Sequence, residues 1–278
     1  MNAVIAKNSG GSNGIQAFRG AGFHSERVTT SPARGDIVNL VQGVIGAVTV
    51  PEFFSPHECQ AIMSGLEHCQ LDSYDEALLT PRVGKLGPVS YEFYRDGRFS
   101  DEYWAQARNS TTARSTLLSG DDPADIALGR LRAMWDGPVE VARVDGKSMF
   151  AGLIREMTRG SRIHRDEVVT QFPGVFDDEP MAQLAFNCYI QLPDEGGETI
   201  IYRRRWQPVH EESRDGYGYQ PDLVSDAPVL AVRPTLGAAV LIDPRNYHKV
   251  MPSGAGRERV ALSFFIGVMA GGSLLIWS

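Results

Sequence analysis

Cysteine, histidine and positive charge are all scarce in this chain, and each shortage closes off a class of function. Three cysteines (Cys59, Cys69 and Cys188) have neither the even count of a disulfide framework nor the paired spacing of a zinc site. They read as reduced thiols, which places the chain in the cytoplasm. A formal net charge of −7 leaves no electrostatic basis for binding nucleic acid or an anionic membrane surface. No run of about 18 apolar residues is present, so no segment is expected to cross a bilayer. The first thirty residues, rich in Gly, Ser and Asn, lack the apolar stretch of a secretory signal. Residues 1–35 therefore read as a flexible N-terminal arm. What is present, 42% hydrophobic and 22% charged residues, is the composition of a soluble globular protein.

Residues 36–278 read as one domain, α-rich first and β-rich after. A short strand is expected over 44–53. Ser55-Pro56-His57-Glu58 carries a cap residue, a proline at the first helical position and a glutamate at the third, which predicts a capped helix. Residues 71–100 read as loop, a second helix starts near Ser100, and a third follows Asp122-Pro123 and stops at Gly137-Pro138. These helices form a layer over about 50–137. From about 140 to 270 the rhythm becomes alternating, with strands expected at 149–157, 161–166, 182–192, 198–202, 228–233, 238–243 and 258–268. Gly, Pro and Asp clusters between them suit a jelly-roll, or double-stranded β-helix. The fold class is thus α+β, a jelly-roll core with an N-terminal helical layer. The polar, aromatic stretch 203–226 reads as a long loop over the mouth of that core.

With only six histidines in the chain, the placement of two of them is informative. His164 and Asp166 flank Arg165 in an expected strand, where residues two apart share a face and the one between turns away. His248 arrives far downstream. Two imidazoles and a carboxylate closing on one face of a metal leave positions open for oxygen chemistry, the facial triad of non-haem Fe(II) oxygenases. A lone His-x-Asp is common by chance; the ordered strands and Gly-rich turns around both histidines give this one weight. Beyond His248, Arg259 shares a strand face with Ala261 and Ser263, leaving room for a carboxylate that a planar guanidinium can grip with two hydrogen bonds. Arg257 has the same parity and competes for that role.

These segments resemble the iron(II)- and 2-oxoglutarate-dependent oxygenases, in their prolyl-hydroxylase-like branch. The resemblance rests on His164-Arg165-Asp166, Gly196-Gly197-Glu198-Thr199, His248-Lys249-Val250-Met251-Pro252 and the strand Arg259-Val260-Ala261-Leu262-Ser263-Phe264-Phe265. It covers about residues 149–268 and is nearest to stand-alone small-molecule enzymes, the N-succinyl amino-acid hydroxylases and the indole-alkaloid halogenases. It implies Fe(II) held by His164, Asp166 and His248, with 2-oxoglutarate as cosubstrate clamped by Arg259. It places Tyr189, Gln191 and Thr199 along the cosubstrate pocket. Halogenases of the group carry a small residue at the position of Asp166, so the carboxylate here implies oxygen transfer.

The implied reaction is hydroxylation of an unactivated C–H bond in a small free metabolite, an amino-acid derivative or secondary metabolite, with O2 consumed and succinate and CO2 released. Arg82, Arg155, Arg203, Trp206 and Tyr217 are candidates for touching the substrate. Desaturation or epoxidation would use the same ligands. A cupin-type metal enzyme without an oxo acid and a metal-free jelly-roll binding module remain alternatives. The partner is a small molecule, and the oligomeric state stays open between monomer and homodimer.

Overall fold

The computed structural model describes residues 23–69, 71–73 and 84–278. Four helices and thirteen strands set out the architecture: β1 (Glu26–Val28), α1 (Arg34–Val41), β2 (Ala47–Val50), α2 (Pro56–Leu66), β3 (Asp72–Ser73), β4 (Gly84–Leu86), α3 (Asp101–Arg114), α4 (Pro123–Met134), β5 (Val139–Val141), β6 (Leu153–Glu156), β7 (Ala182–Gln191), β8 (Thr199–Arg205), β9 (Val229–Val232), β10 (Ala239–Ile242), β11 (Asn246–Val250), β12 (Val260–Val268) and β13 (Leu274–Trp277). This is a mixed α/β fold with one large, mostly antiparallel sheet. Its strands run β1-β2-β10-β7-β12-β6-β4-β3, with β13 also on β12 and β5 on β13. A second sheet of three strands runs β9-β8-β11.

The helices begin where the sequence signals them. Ser55 Oγ accepts the Glu58 N–H at 3.2 Å while the Glu58 carboxylate accepts the Ser55 N–H at 2.7 Å, closing the capping box of α2. Ser100 caps α3 and Asp122 caps α4. The buried face of α2 (Cys59, Ile62, Leu66) joins the core that covers the outer side of the large sheet, with Leu184, Phe186 and Cys188 of β7. Alternate residues of β7, Ala185 and Tyr189, face the other way. They pack with Ile201 of β8, Leu230 and Val232 of β9 and Ala261 of β12, so side chains from both sheets close on one interior.

Several expectations need correction. Residues 1–22 of the expected arm lie outside the described residues, but the rest of it is built into the fold. Phe23 is buried and β1 pairs in parallel with β2. Residues 84–99, expected as loop, contribute β4, a helical turn over Ser90–Phe93 and a hairpin of Tyr94–Arg95 against Arg98–Phe99, and the core runs on to a last strand, β13. Residues 161–166 form no ladder strand; Ile163 and His164 make single bridges, to Tyr219 and His248. The mouth loop starts later than expected, because Arg203–Arg205 belong to β8. The remainder is folded, with 3-10 turns over Pro208–Ser213 and Pro221–Val224 flanking a tight hairpin of Arg214–Asp215 against Gly218–Tyr219.

Candidate active site

The two histidines meet through their own backbones. The His164 N–H donates to the His248 carbonyl at 2.9 Å, and the reverse bond is 2.8 Å. This single bridge joins the segment before Asp166 to β11 and sets the rings 4.2 Å apart, centroid to centroid. The Asp166 N–H is tied to the Pro244 carbonyl at 2.9 Å, which turns its carboxylate to both rings. His164 Nε2 lies 3.7 Å and His248 Nε2 3.5 Å from the same oxygen, Asp166 Oδ2. One donor atom from each residue lies within 4.8 Å of the others.

Second contacts prepare these donors for a cation. His164 Nδ1 sits 2.9 Å from the Arg162 carbonyl and His248 Nδ1 3.0 Å from the Asn246 carbonyl. A carbonyl only accepts, so each Nδ1 carries the proton and each Nε2 presents a lone pair. Burial, helped by the neighbouring His248, pushes His164 down to about 4, so the ring is neutral at physiological pH. Burial works to raise Asp166, but His164, His248 and Arg155 outweigh it and hold the carboxyl at about 2. A neutral His164 imidazole beside an ionised carboxylate is what binding of a divalent metal requires.

Behind the triad, Arg259 is 1% exposed, with no carboxylate beside it among the described residues. Nε donates to the Gly197 carbonyl at 3.0 Å, Nη2 lies 3.4 Å from Thr199 Oγ1, and the guanidinium carbon sits 4.9 Å from the Tyr189 ring centre. Tyr189 and Thr199 are linked through their hydroxyls at 3.4 Å. Nη1 is buried with no partner among the described residues. Burial pulls the guanidinium below its ordinary pKa, so an incoming carboxylate would both satisfy the orphan donor and offset that penalty. Gly197, at φ 76°, keeps this space open. A Cβ there would stand 3.1 Å from Arg259 Cδ. The competing Arg257 instead pairs with Asp194 at 2.9 Å on the surface.

Gln191 is not part of this cluster. A bulge between Tyr189 and Gln191 breaks the alternation of β7, and the Gln191 amide turns outward to Glu258 at 3.1 Å. A one-residue slip reverses every side chain beyond it, which is the physical reason the expectation failed.

In front of the triad lies a cavity of about 280 Å³ whose wall includes His164, Asp166, Arg155, Tyr217, Phe172, Met157 and Trp277. Of the substrate candidates, Arg155 and Tyr217 line it. Arg155 Nε donates to Ser263 Oγ at 3.1 Å. The Tyr217 hydroxyl accepts the Arg162 N–H at 2.6 Å, and its ring packs edge-on to His164. Trp206 stands outside the wall and supports the Arg165 guanidinium 4.7 Å from its ring centre. Arg203 is exposed near the end of β8 and does not line the cavity, while Arg82 falls outside the described residues. Arg165 and Arg214 line the wall and were missed from the sequence. For Arg165 the signal was there, adjacent to both ligands, but strict alternation had turned it away. With 161–166 outside any ladder, His164, Arg165 and Asp166 all face one chamber.

The model of the carrier-protein-independent halogenase WelO5 family matches residues 23–272. The chain is 34% identical over 249 residues to the L-gamma-glutamyl-L-propargylglycine hydroxylase of Streptantibioticus cattleyicolor, covering 88% of this chain and 92% of that protein. It is 28% identical over 240 residues to leucinostatins biosynthesis cluster protein S of Purpureocillium lilacinum, covering 80% and 95%. Among solved structures, an N-substituted L-amino acid dioxygenase of Burkholderia ambifaria AMMD, in complex with alpha-KG, aligns over 87% of this chain and 90% of its own. Its TM-score is 0.53 at 14% identity, a likeness of fold. A match running through nearly all the described residues settles descent: the chain belongs to the carrier-protein-independent halogenase WelO5 family.

Proposed function

We propose that this member of the family hydroxylates, rather than halogenates, an amino-acid-type small molecule. The chain is a 2-oxoglutarate-dependent non-haem iron dioxygenase acting on a small metabolite, with Fe(II), 2-oxoglutarate and O2 as its reagents. The net reaction inserts one oxygen atom of O2 into a C–H bond and the other into succinate, with CO2 released. One observation carries the choice of outcome. Asp166 supplies a third protein donor where a halogenating relative needs a vacant position for chloride, and its carboxylate oxygen lies within 3.7 Å of both imidazoles. A relative of the same family at 34% identity is named as a hydroxylase of a glutamyl dipeptide, which supports an amino-acid derivative as substrate.

In this reading His164, Asp166 and His248 hold the iron, which when bound supplies the redox chemistry and the site for O2. The side chains do the rest. Arg259, with Thr199 and Tyr189, grips the distal carboxylate of 2-oxoglutarate, a need that a cupin-type enzyme without an oxo acid would not have. Arg155 and Tyr217 border the substrate, and the folded segment 206–226 keeps bulk water from the chamber. The large and three-stranded sheets, whose side chains close on one interior, are read as the two walls of a double-stranded β-helix within one domain over 36–278. Three free thiols agree with the cytoplasmic setting expected from the sequence. No helix among the described residues is long and apolar enough to cross a membrane.

The test is anaerobic titration with Fe(II) and then 2-oxoglutarate, followed by succinate release in air with γ-glutamyl and N-acyl amino acids. A visible charge-transfer band and substrate-dependent succinate are expected, with a product 16 mass units heavier on a C–H position (the mass of one oxygen atom). A chlorinated product from the unaltered protein would overturn the hydroxylase reading.

A further inference from the structure

Four side-chain polar atoms are buried without a partner among the described residues: Asp122 Oδ2, Ser253 Oγ, Arg259 Nη1 and Arg165 Nε. A buried donor left unsatisfied is costly, so each such atom invites an explanation. Asp122 is accounted for by its other oxygen, which caps α4 and binds Arg114 at 2.7 Å. Arg259 faces the space for the cosubstrate. Arg165 shows the same signature between His164 and Asp166, and nothing described so far uses it.

The surroundings of Arg165 hold the guanidinium fixed. Its Nη1 donates to Glu167 at 2.8 Å and to Thr170 at 3.0 Å, and its flat face lies over Trp206. The side chain is only 13% exposed, and the residue lines the cavity. A guanidinium pinned at one nitrogen and one face, on a residue that lines the cavity, is held ready for a ligand that arrives from the chamber. The charge of the chamber points the same way. Arg155, Arg165 and Arg214 all line it, whereas the metal ligand Asp166 is the one acidic side chain on its wall among the described residues, beside the terminal residue Ser278. Glu167 offsets Arg165 in part, and Glu211 lies 3.4 Å from Arg214, but neither glutamate reaches the wall.

The structure assigns to Arg165 the role of anchor for an anionic group of the substrate, which makes that substrate a carboxylate. The assignment rests on reading the cavity as the substrate chamber of a 2-oxoglutarate oxygenase. Because Arg165 stands between two iron ligands in the chain, an anion held there fixes how far the oxidised carbon lies from the charged end. Neutral or cationic ring systems of similar size would leave the Arg165 donor buried and unmet, a penalty that discriminates strongly against them.

The experiment compares matched probes on the intact enzyme loaded anaerobically with Fe(II) and 2-oxoglutarate: γ-glutamyl- and N-succinyl-amino acids, and the same compounds with each carboxylate converted to a primary amide. Binding is read from perturbation of the visible band, and turnover from succinate in air. For one carboxylate of the preferred probe, amidation is expected to weaken binding about ten-fold or more. Arg165→Gln is expected to raise the KM for the acid about a hundred-fold and to erase the distinction between acid and amide, with Arg165→Lys in between. Equal response to acids and amides overturns the assignment, as does no response to any acid in enzyme whose band forms. A loss of 2-oxoglutarate affinity in Arg165→Gln matching its loss of probe binding would place the residue in the metal site and overturn it too. Failure of the band to form at all would instead count against the oxygenase reading.

Discussion

The two ends of the active site are made of different material. At the proposed cosubstrate end, Arg259 stands just before β12, Tyr189 on β7 and Thr199 on β8, each no more than 6% exposed, and they bond chiefly to one another. At the substrate end, the wall adds to strand residues such as Arg155 and Ser263 the irregular segment 161–166 and the hairpin of 214–219, a more open region in which the side chains of Arg162 and Arg214 are 39% and 47% exposed. The sheet end is fixed by ladders on both sides, while the loop end hangs on individual contacts such as Arg162 N–H to Tyr217 and Tyr219 N–H to the Ile163 carbonyl. On the proposed reading the same oxo acid fits every member of such a family, and a rigid sheet would hold it in one place. Substrates differ, and loops accept substitution without disturbing the sheet. The three proposed iron ligands stand on the border, two on the loop segment and one on β11.

That contrast can be broken most violently at the border itself. Asp166→Gly removes one of three donors and is expected to abolish hydroxylation, measured as oxygenated product by mass spectrometry. If chlorinated product appears anywhere, it is in this variant supplied with chloride. Retained hydroxylation at the original rate would take the carboxylate off the metal. Next in size is the sheet end. Arg259→Ala removes a fork that no other side chain supplies, so the 2-oxoglutarate needed to develop the anaerobic band is expected to rise about a hundred-fold or more. Excess 2-oxoglutarate should then restore turnover, and Arg259→Lys, charged but unable to make two parallel bonds, should fall between. An unchanged 2-oxoglutarate requirement would return the clamp to Arg257.

A milder change sharpens the loop end. Tyr217→Phe deletes the acceptor of the Arg162 N–H without changing the ring that packs on His164. The carbonyl of Arg162 holds His164 Nδ1, so loosening this residue loosens the ligand. The ratio of hydroxylated product to succinate is expected to fall by about ten-fold at most, with 2-oxoglutarate affinity untouched because its clamp lies on the sheets. Equal falls in both would mean that the two ends are not independent.

The sequence displayed the sheet end better than the loop end, for a physical reason. Periodicity reports which face a residue takes only where a ladder enforces it. Arg259, just before β12, and Ala261 and Ser263 on it obeyed the period, so the buried guanidinium expected as the clamp was legible. Segment 161–166 alternates in the same manner, yet it pairs at single residues only, so Arg165 was free to turn toward its two neighbours. The capping box at Ser55 was legible because its partners are three residues apart. The pairing of β1 with β2 and of β13 with β12 depends on distant partners that short apolar runs do not name. The hairpin at 214–219 was hidden inside a polar stretch whose order comes from contacts with 162–163.

The smallest effect tests the one place where the sheet end itself was misread. Gln191 follows Tyr189 by two residues, so in an unbroken strand it would join Arg259 at the cosubstrate. The bulge after Tyr189 instead aligns Gln191 with Val260 and sends its amide to Glu258. A polar contact of this kind at the surface contributes little, because water replaces it when it is lost. Gln191→Ala is therefore expected to change stability by no more than about 0.5 kcal/mol and to leave the 2-oxoglutarate requirement where it was. A rise of the size expected for Arg259→Ala would mean that the strand runs without its bulge when the cosubstrate is bound, and that the sheet end is less rigid than its burial implies.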